Sequence, residues 1–265
     1  MKIDVLGPIS IEVNGRSIVP TAGKQRQLLT LLALRCGRVV PIATLMEELW
    51  GDSIPRSGLT TLQTYVLYLR RLIAAALPED PPPAAASKEL LTTRFGSYQL
   101  AAPCEYDLAD FEGLASRGDS ALERGDATSA SELLGRAMGL WRGPALMDVP
   151  LGRALAMELI GMEEAYMRVQ EQRIRADLWL GKHSLLIPEL RKLVAQHPMH
   201  ENISACLMIA YQRSGASWRA LEVFRNLRTA LNGELGVEPS GRLQSLHQEL
   251  LSNTPELSLT DFVLS

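Results

Sequence analysis

Three glycines phase the second half of this chain. Gly125, Gly181 and Gly215 each close a helical run, and at +5 from them stand Ala130, Leu186 and Ala220. At +9 come Leu134, Leu190 and Phe224, and at +12 Ala137, Leu193 and Leu227. The last two glycines are 34 residues apart. That is the length of one helical hairpin, which cannot bury its apolar face alone and must stack on its neighbours. From Asp107 onward Ala, Leu, Glu and Arg dominate, and helical spacing predicts helices over 107–117, 126–141, 152–180, 184–196, 201–214, 217–233 and 240–251. A generic helical bundle with accidental spacing is the competing reading. The agreement at three offsets favours stacked hairpins with a concave surface suited to holding another chain. The tail from Asn253, NTPELSLTDFVLS, lacks a helical period and is expected to be loosely held.

The first hundred residues follow other rules. KIDVLG, ISIEV and RSIVP read as short strands, and Asn14-Gly15 between the last two is a strong hairpin signal. Helices are expected over Lys24–Cys36, closed by Gly37, and over Ile42–Trp50, stopped by Gly51, with Leu45, Leu49 and Trp50 inward. Val39-Val40 is a short extended piece between them. A third helix spans Leu59–Leu77, where Leu62, Val66, Leu69 and Ile73 make one apolar face with Leu72 beside them. Residues 78–88 (PEDPPPAAASK) are expected to form a flexible or extended connection. Glu89–Leu100 then reads as two strand-like pieces about a turn near Phe95-Gly96-Ser97.

Taken alone, Leu59–Leu77 is an ordinary amphipathic helix with a solvated face. A preceding helix and turn, and a hairpin directly after it, make it the third helix of a winged helix, where such a helix enters the major groove and the hairpin lies against the backbone. Its outer residues suit that task. Thr and Gln reach base edges, while arginines neutralise phosphate.

Charge permits this reading without proving it. The net charge of -3 divides into 11 Lys+Arg against 8 Asp+Glu over residues 1–100, and 16 against 22 over the remaining 165. A mildly basic head thus sits on an acidic body. Apolar residues at 46% and charged residues at 22% describe a globular chain. No apolar run reaches the length of a membrane span, and MKIDVLGPIS is not a signal peptide. Cys36, Cys104 and Cys206 are odd in number and far apart, which suits buried thiols in a reducing cytoplasm and argues against a disulfide framework.

Catalytic chemistry is not visible. GxxxxGK[ST] and GxSxG do not occur. His197 and His200 have a spacing that seats metals, yet no cysteine or carboxylate pattern completes a site, and Pro198 between them favours a loop. No catalytic, cofactor or metal residue is therefore expected. Trp141, Arg142 and Pro144 read either as a partner patch or, preferably, as a helix stop with Trp141 packed inward.

The whole chain resembles a known family. ELW before Gly51, TLQTYVLYLRRLI and TTRFGSYQL resemble the OmpR-type winged helix, and YDLADFEGL, LWRGPAL at 140–146 and RALEVFRNLRTALNGELGVEPSGRLQSLHQELL at 219–251 resemble the bacterial transcriptional activator domain. Together they look like the short form of the antibiotic-regulatory-protein (SARP) group. The implied architecture is mainly α: an α+β winged helix over 1–102, an all-α tetratricopeptide-like domain over 105–253, and a tail over 254–265. The resemblance implies a sequence-specific activator that binds direct repeats in double-stranded promoter DNA. It also implies recruitment of RNA polymerase holoenzyme, a second protomer on the DNA, and a secondary-metabolite gene cluster as target.

By position in the motif, Gln63, Thr64, Leu67 and Tyr68 match base-facing residues. Thr60, Thr61, Arg70 and Arg71 match backbone-facing ones, and Arg94 matches the wing arginine. This chain departs from the pattern in its PPPAAA stretch, in Ser97 where a wing glycine is usual, and in the apolar or aromatic Leu67 and Tyr68. Neither a receiver domain before the strand at Ile3 nor an appended NTPase module is expected. The alternatives are a repressor with the same head, or a tetratricopeptide-like scaffold whose head binds protein.

Overall fold

The computed structural model describes residues 1–79, 82–101 and 104–252. They form two compact units, and the division falls inside three helices, α5 (Asp107–Glu123), α6 (Ala127–Gly139) and α7 (Arg153–Trp179). Residues 107–113 and 137–166, within the stretch expected to be the helical body, group with the head.

The first unit, Met1–Gly113 with Ala137–Tyr166, holds both sheets. β1 (Lys2–Asp4), β2 (Ser10–Val13) and β3 (Arg16–Ser17) form an antiparallel meander. Asn14 and Gly15 turn the β2–β3 hairpin with φ of 50° and 73°, the two left-handed positions of a type I′ turn. Between the helices lies β4 (Val40–Pro41). After them come β5 (Leu91–Arg94), β6 (Ser97–Leu100) and β7 (Glu105–Tyr106). The last runs parallel to β1, a pairing the sequence did not suggest. Two residues are too few to show a period.

The helices α1 (Gly23–Leu34), α2 (Ile42–Trp50) and α3 (Gly58–Ala76) follow the expected runs. Leu28, Leu31, Leu45, Leu62, Val66, Leu69 and Ile73 are all at most 1% exposed and belong to the core. Trp50 is only half-buried, with its ring stacked on Tyr65 and Lys24 above it. The connection expected to be flexible or extended instead contains a helix, α4 (Pro83–Leu90), against α3. Its reason is local: Pro83 is a favourable first helical residue and three alanines follow.

The cysteine expectation also changes. Cys36 and Cys104 are joined in a disulfide, and Cys206 is free and buried. The end of α1 meets the end of β6, where Gly37 N–H donates to Leu100 O and Gln99 Nε2 to Gly37 O. The fold thus removes the sequence separation that argued against pairing.

The second unit, Leu114–Arg136 with the chain from Met167 onward, is helical. Here α9 (Glu201–Arg213) packs against both α8 (His183–Gln196) and α10 (Ser217–Leu235), with α11 (Gly241–Ser252) closing the series. Nine consecutive α9 residues, Ile203 to Tyr211, are buried, as expected of a helix covered on all sides. The phasing glycines adopt φ of 78°, 77° and 77°, left-handed helix ends that favour glycine. All nine residues at +5, +9 and +12 are buried. Close packing is visible at Gly118, where a Cβ would lie 2.6 Å from Leu134. The tail expected from Asn253 lies outside the described residues.

Candidate nucleic-acid interface

The apolar face of α3 is spent on the core, which leaves its opposite rows to solvent. Thr60, Gln63, Thr64, Leu67 and Arg71 are exposed; Thr61, Tyr68 and Arg70 are half-buried. Leu67 is 50% exposed. The Thr64 hydroxyl donates to Thr60 O at 2.9 Å, and its oxygen can still accept a hydrogen bond. Eight of the nine expected residues thus share one helix, and Arg94, on β5, is exposed at the end of the wing strand.

Arg70, expected to contact the DNA backbone, is already bonded within the fold. Its Nε and Nη2 donate to Leu91 O at 3.0 and 2.8 Å, and Nη2 also donates to Thr93 Oγ1 at 2.8 Å. This guanidinium fastens the wing strand to α3. Three charge-assisted hydrogen bonds set the wing's position relative to the exposed face of α3. The wing turns through Phe95 and Gly96, with φ of 40° and 70°, and Arg94 pairs with Ser97 across it. Ser97 therefore begins β6 in extended backbone, where glycine is not required. The departure from the family pattern is absorbed by placing Gly96 in the turn.

Polar groups that the sequence reading passed over hold this unit together. Glu48 on α2 is 3% exposed. Its carboxylate accepts N–H bonds from Gly152 and Ala154 at 2.7 Å and from Leu155 at 3.2 Å, at the start of α7. Gln27 Nε2 donates to it at 2.9 Å. An anion at a helix N-terminus satisfies otherwise orphaned donors and complements the helix dipole. Gly152 is needed there, since a Cβ would stand 2.1 Å from Glu48 O. The signal in the sequence was a glutamate three residues after Leu45 and beside Leu49, on the buried side of α2.

The motifs behind the resemblance acquire physical roles. Asp107, the second residue of YDLADFEGL, accepts from the N–H groups of Val5 and Leu6. Burial lifts its carboxyl above the ordinary value, against the pull of those two hydrogen bonds. In LWRGPAL, Arg142 N–H donates to Leu6 O at 2.8 Å and its guanidinium reaches Asp107 at 3.4 Å. Trp141 packs against Phe111 and Tyr166, as preferred from the sequence. In ELGVEPS, Gly236 ends α10 at φ 68°, and Glu238 accepts both Arg228 Nε and Nη2. Ser240 bonds the Glu201 carboxylate. Nor is His200 open to a ligand on its paired nitrogen, since its Nε2 lies 3.1 Å from Glu171.

A helix-turn-helix whose third helix presents a polar face, with a wing locked beside it, defines a winged-helix DNA-binding regulator. Residues 15–100 match the family described as transcriptional regulatory protein, C terminal, and residues 106–251 match the bacterial transcriptional activator domain. The regulatory protein DnrI of Streptomyces peucetius is 48% identical, covering 96% of this chain and 93% of its own. The transcriptional regulator RedD of Streptomyces coelicolor is 36% identical, covering 98% and 73%. Among solved structures, Mycobacterium tuberculosis EmbR in complex with a low-affinity phosphopeptide matches with a TM-score of 0.87 at 26% identity, over 99% of this chain and 68% of that one. The chain belongs to the SARP family of transcriptional activators, which joins an OmpR-type winged helix to a bacterial transcriptional activator domain.

Proposed function

We propose that this activator binds direct repeats beside a promoter and brings RNA polymerase holoenzyme to a secondary-metabolite gene cluster in the cytoplasm. The DNA-binding domain would be 1–102 and the activator domain 105–253. The observation that carries the reading is the exposed row Gln63, Thr64, Leu67 with half-buried Tyr68, held beside a wing that Arg70 fixes in place. These four read base edges, Leu67 by apolar contact with a thymine methyl. Thr60, Thr61, Arg71 and Arg94 contact the backbone. Arg70 serves the wing first, and only its Nη1 is left for phosphate.

A head with a net charge of +3, from 11 basic and 8 acidic residues over 1–100, holds one half-site weakly, so a second protomer on the adjacent repeat supplies the affinity. Footprinting of neighbouring promoters, with and without polymerase, tests this directly. Protection of a repeat that strengthens with polymerase is the expected result. Equal affinity for a half-site and a full repeat would remove the second protomer, and no protection at low salt would remove the DNA reading. Arg71→Ala should weaken binding to all sequences and flatten the salt slope by about one unit; an unchanged slope would take Arg71 off the phosphate list.

A further inference from the structure

At the tip of the wing stands a phenylalanine that no described residue covers. Phe95 is 107% exposed, more than any other large apolar residue described. Its backbone is left-handed, φ 40°, a conformation that a bulky side chain adopts against its steric preference. The Phe95-Gly96 turn has two residues between the paired Arg94 and Ser97, so the ring sits at the apex. The tip is braced as well: Ile42 N–H donates to Gly96 O at 3.2 Å, and Arg70 holds Thr93 two residues before the ring. A strained, braced and solvated aromatic ring beside an exposed arginine has the make-up of a device awaiting a partner.

We infer that Phe95 is a wedge that enters the minor groove and partly unstacks one base step, while Arg94 engages the flanking backbone. This rests on the DNA reading above and adds a residue that selects sequence through deformability. Steps that unstack easily, such as pyrimidine–purine, would be favoured beneath the wing without a hydrogen bond to any base. The apolar ring explains why asparagine, the usual partner of glycine in such a turn, is absent here. Asparagine would relax the backbone and offer no wedge.

The test uses the full chain and the duplex recovered by footprinting, with 2-aminopurine placed in turn at each adenine where the protected region shows its minor groove. Wild type should brighten the probe at one step, where unstacking relieves quenching. Phe95→Asn should abolish that signal and lower affinity roughly five- to a hundredfold, the range of one lost ring–base contact. Because asparagine suits the turn, the variant folds at least as well as the parent, so weaker binding is not a folding defect. Phe95→Trp should retain the signal. A specific wild-type complex that brightens no position overturns the wedge alone. Full affinity in Phe95→Asn also overturns it, and a deficit appearing only when polymerase is present would place the ring on protein instead. If wild type forms no specific complex, the DNA reading falls and the wedge falls with it.

Discussion

Two hairpins grip α3, and they differ in what their turns are for. The β2–β3 hairpin closes through Asn14-Gly15 and the β5–β6 hairpin through Phe95-Gly96, with φ pairs of 50° and 73° against 40° and 70°. The backbone problem is the same and the solutions are opposite. Asn14 is a residue that tolerates the left-handed region, and its side chain is put to work: Nδ2 donates to Ala76 O at 3.2 Å, at the end of α3, beside the Arg16 bond to Ala75 O. Phe95 tolerates the conformation poorly, and its side chain stands fully exposed. One hairpin is finished as structure. The other gives up local stability at its tip, as a surface shaped for a ligand does.

That contrast can be broken in three places, and a fourth test lies outside it. The largest effect should follow Arg70→Ala, which removes the charge-assisted bonds to Leu91 O and Thr93 Oγ1. About 1.5–3 kcal/mol of stability is expected to go, together with protection of the wing amides in hydrogen exchange. If the wing amides stay as protected as before, the anchor is not Arg70. Next, Asn14→Phe places the strained residue in the structural turn and strips the bond to Ala76; a loss of about 1–2 kcal/mol is expected, with DNA affinity untouched. A fall in affinity comparable to that of Phe95→Asn would show that the two hairpins are not functionally distinct.

The converse swap, Phe95→Asn, should raise the thermal midpoint by roughly 2–4 °C, the shift about 1 kcal/mol produces in a chain of this size. An unchanged midpoint would mean the tip is not strained. The smallest effect lies outside both hairpins, at His200 and Glu171. The hydrogen bond that His200 Nε2–H donates to the Glu171 carboxylate raises the His200 pKa above 6.5 despite burial. Burial would raise the Glu171 carboxyl, yet its bonds from His200 and Asn202 outweigh that and hold it below 4.5. The histidine's contribution is complete below about 6.5 and fades as pH rises through its folded value. That of the carboxylate is complete above about 4.5 and fades as pH falls through its own. Stability from the pair therefore peaks between those limits, by about 1 kcal/mol at most. Glu171→Gln should flatten the pH profile of unfolding and leave DNA binding alone; a profile that keeps its shape would exclude the pair as its source.

The helical plan was readable because it is written locally. Period-3.6 apolar rows, glycines at helix ends and an Asn-Gly turn each depend on residues within a few positions of one another, and α2, α3 and the phased hairpins lie where those patterns place them. The exposed row of α3 followed from the same arithmetic. What the tertiary structure decided is which polar groups meet across distance. Nothing local in the sequence ties Arg70 to the wing until Leu91 and Thr93 are brought beside it. Likewise Glu48 looks like a solvated glutamate until the start of α7 is set against it. Cys36 and Cys104 look like separate thiols until the end of β6 reaches the end of α1. Local sequence determines the backbone period and the faces it creates. The partner of a buried charge is chosen by desolvation, which depends on everything packed around it, and that exists only once the chain has folded.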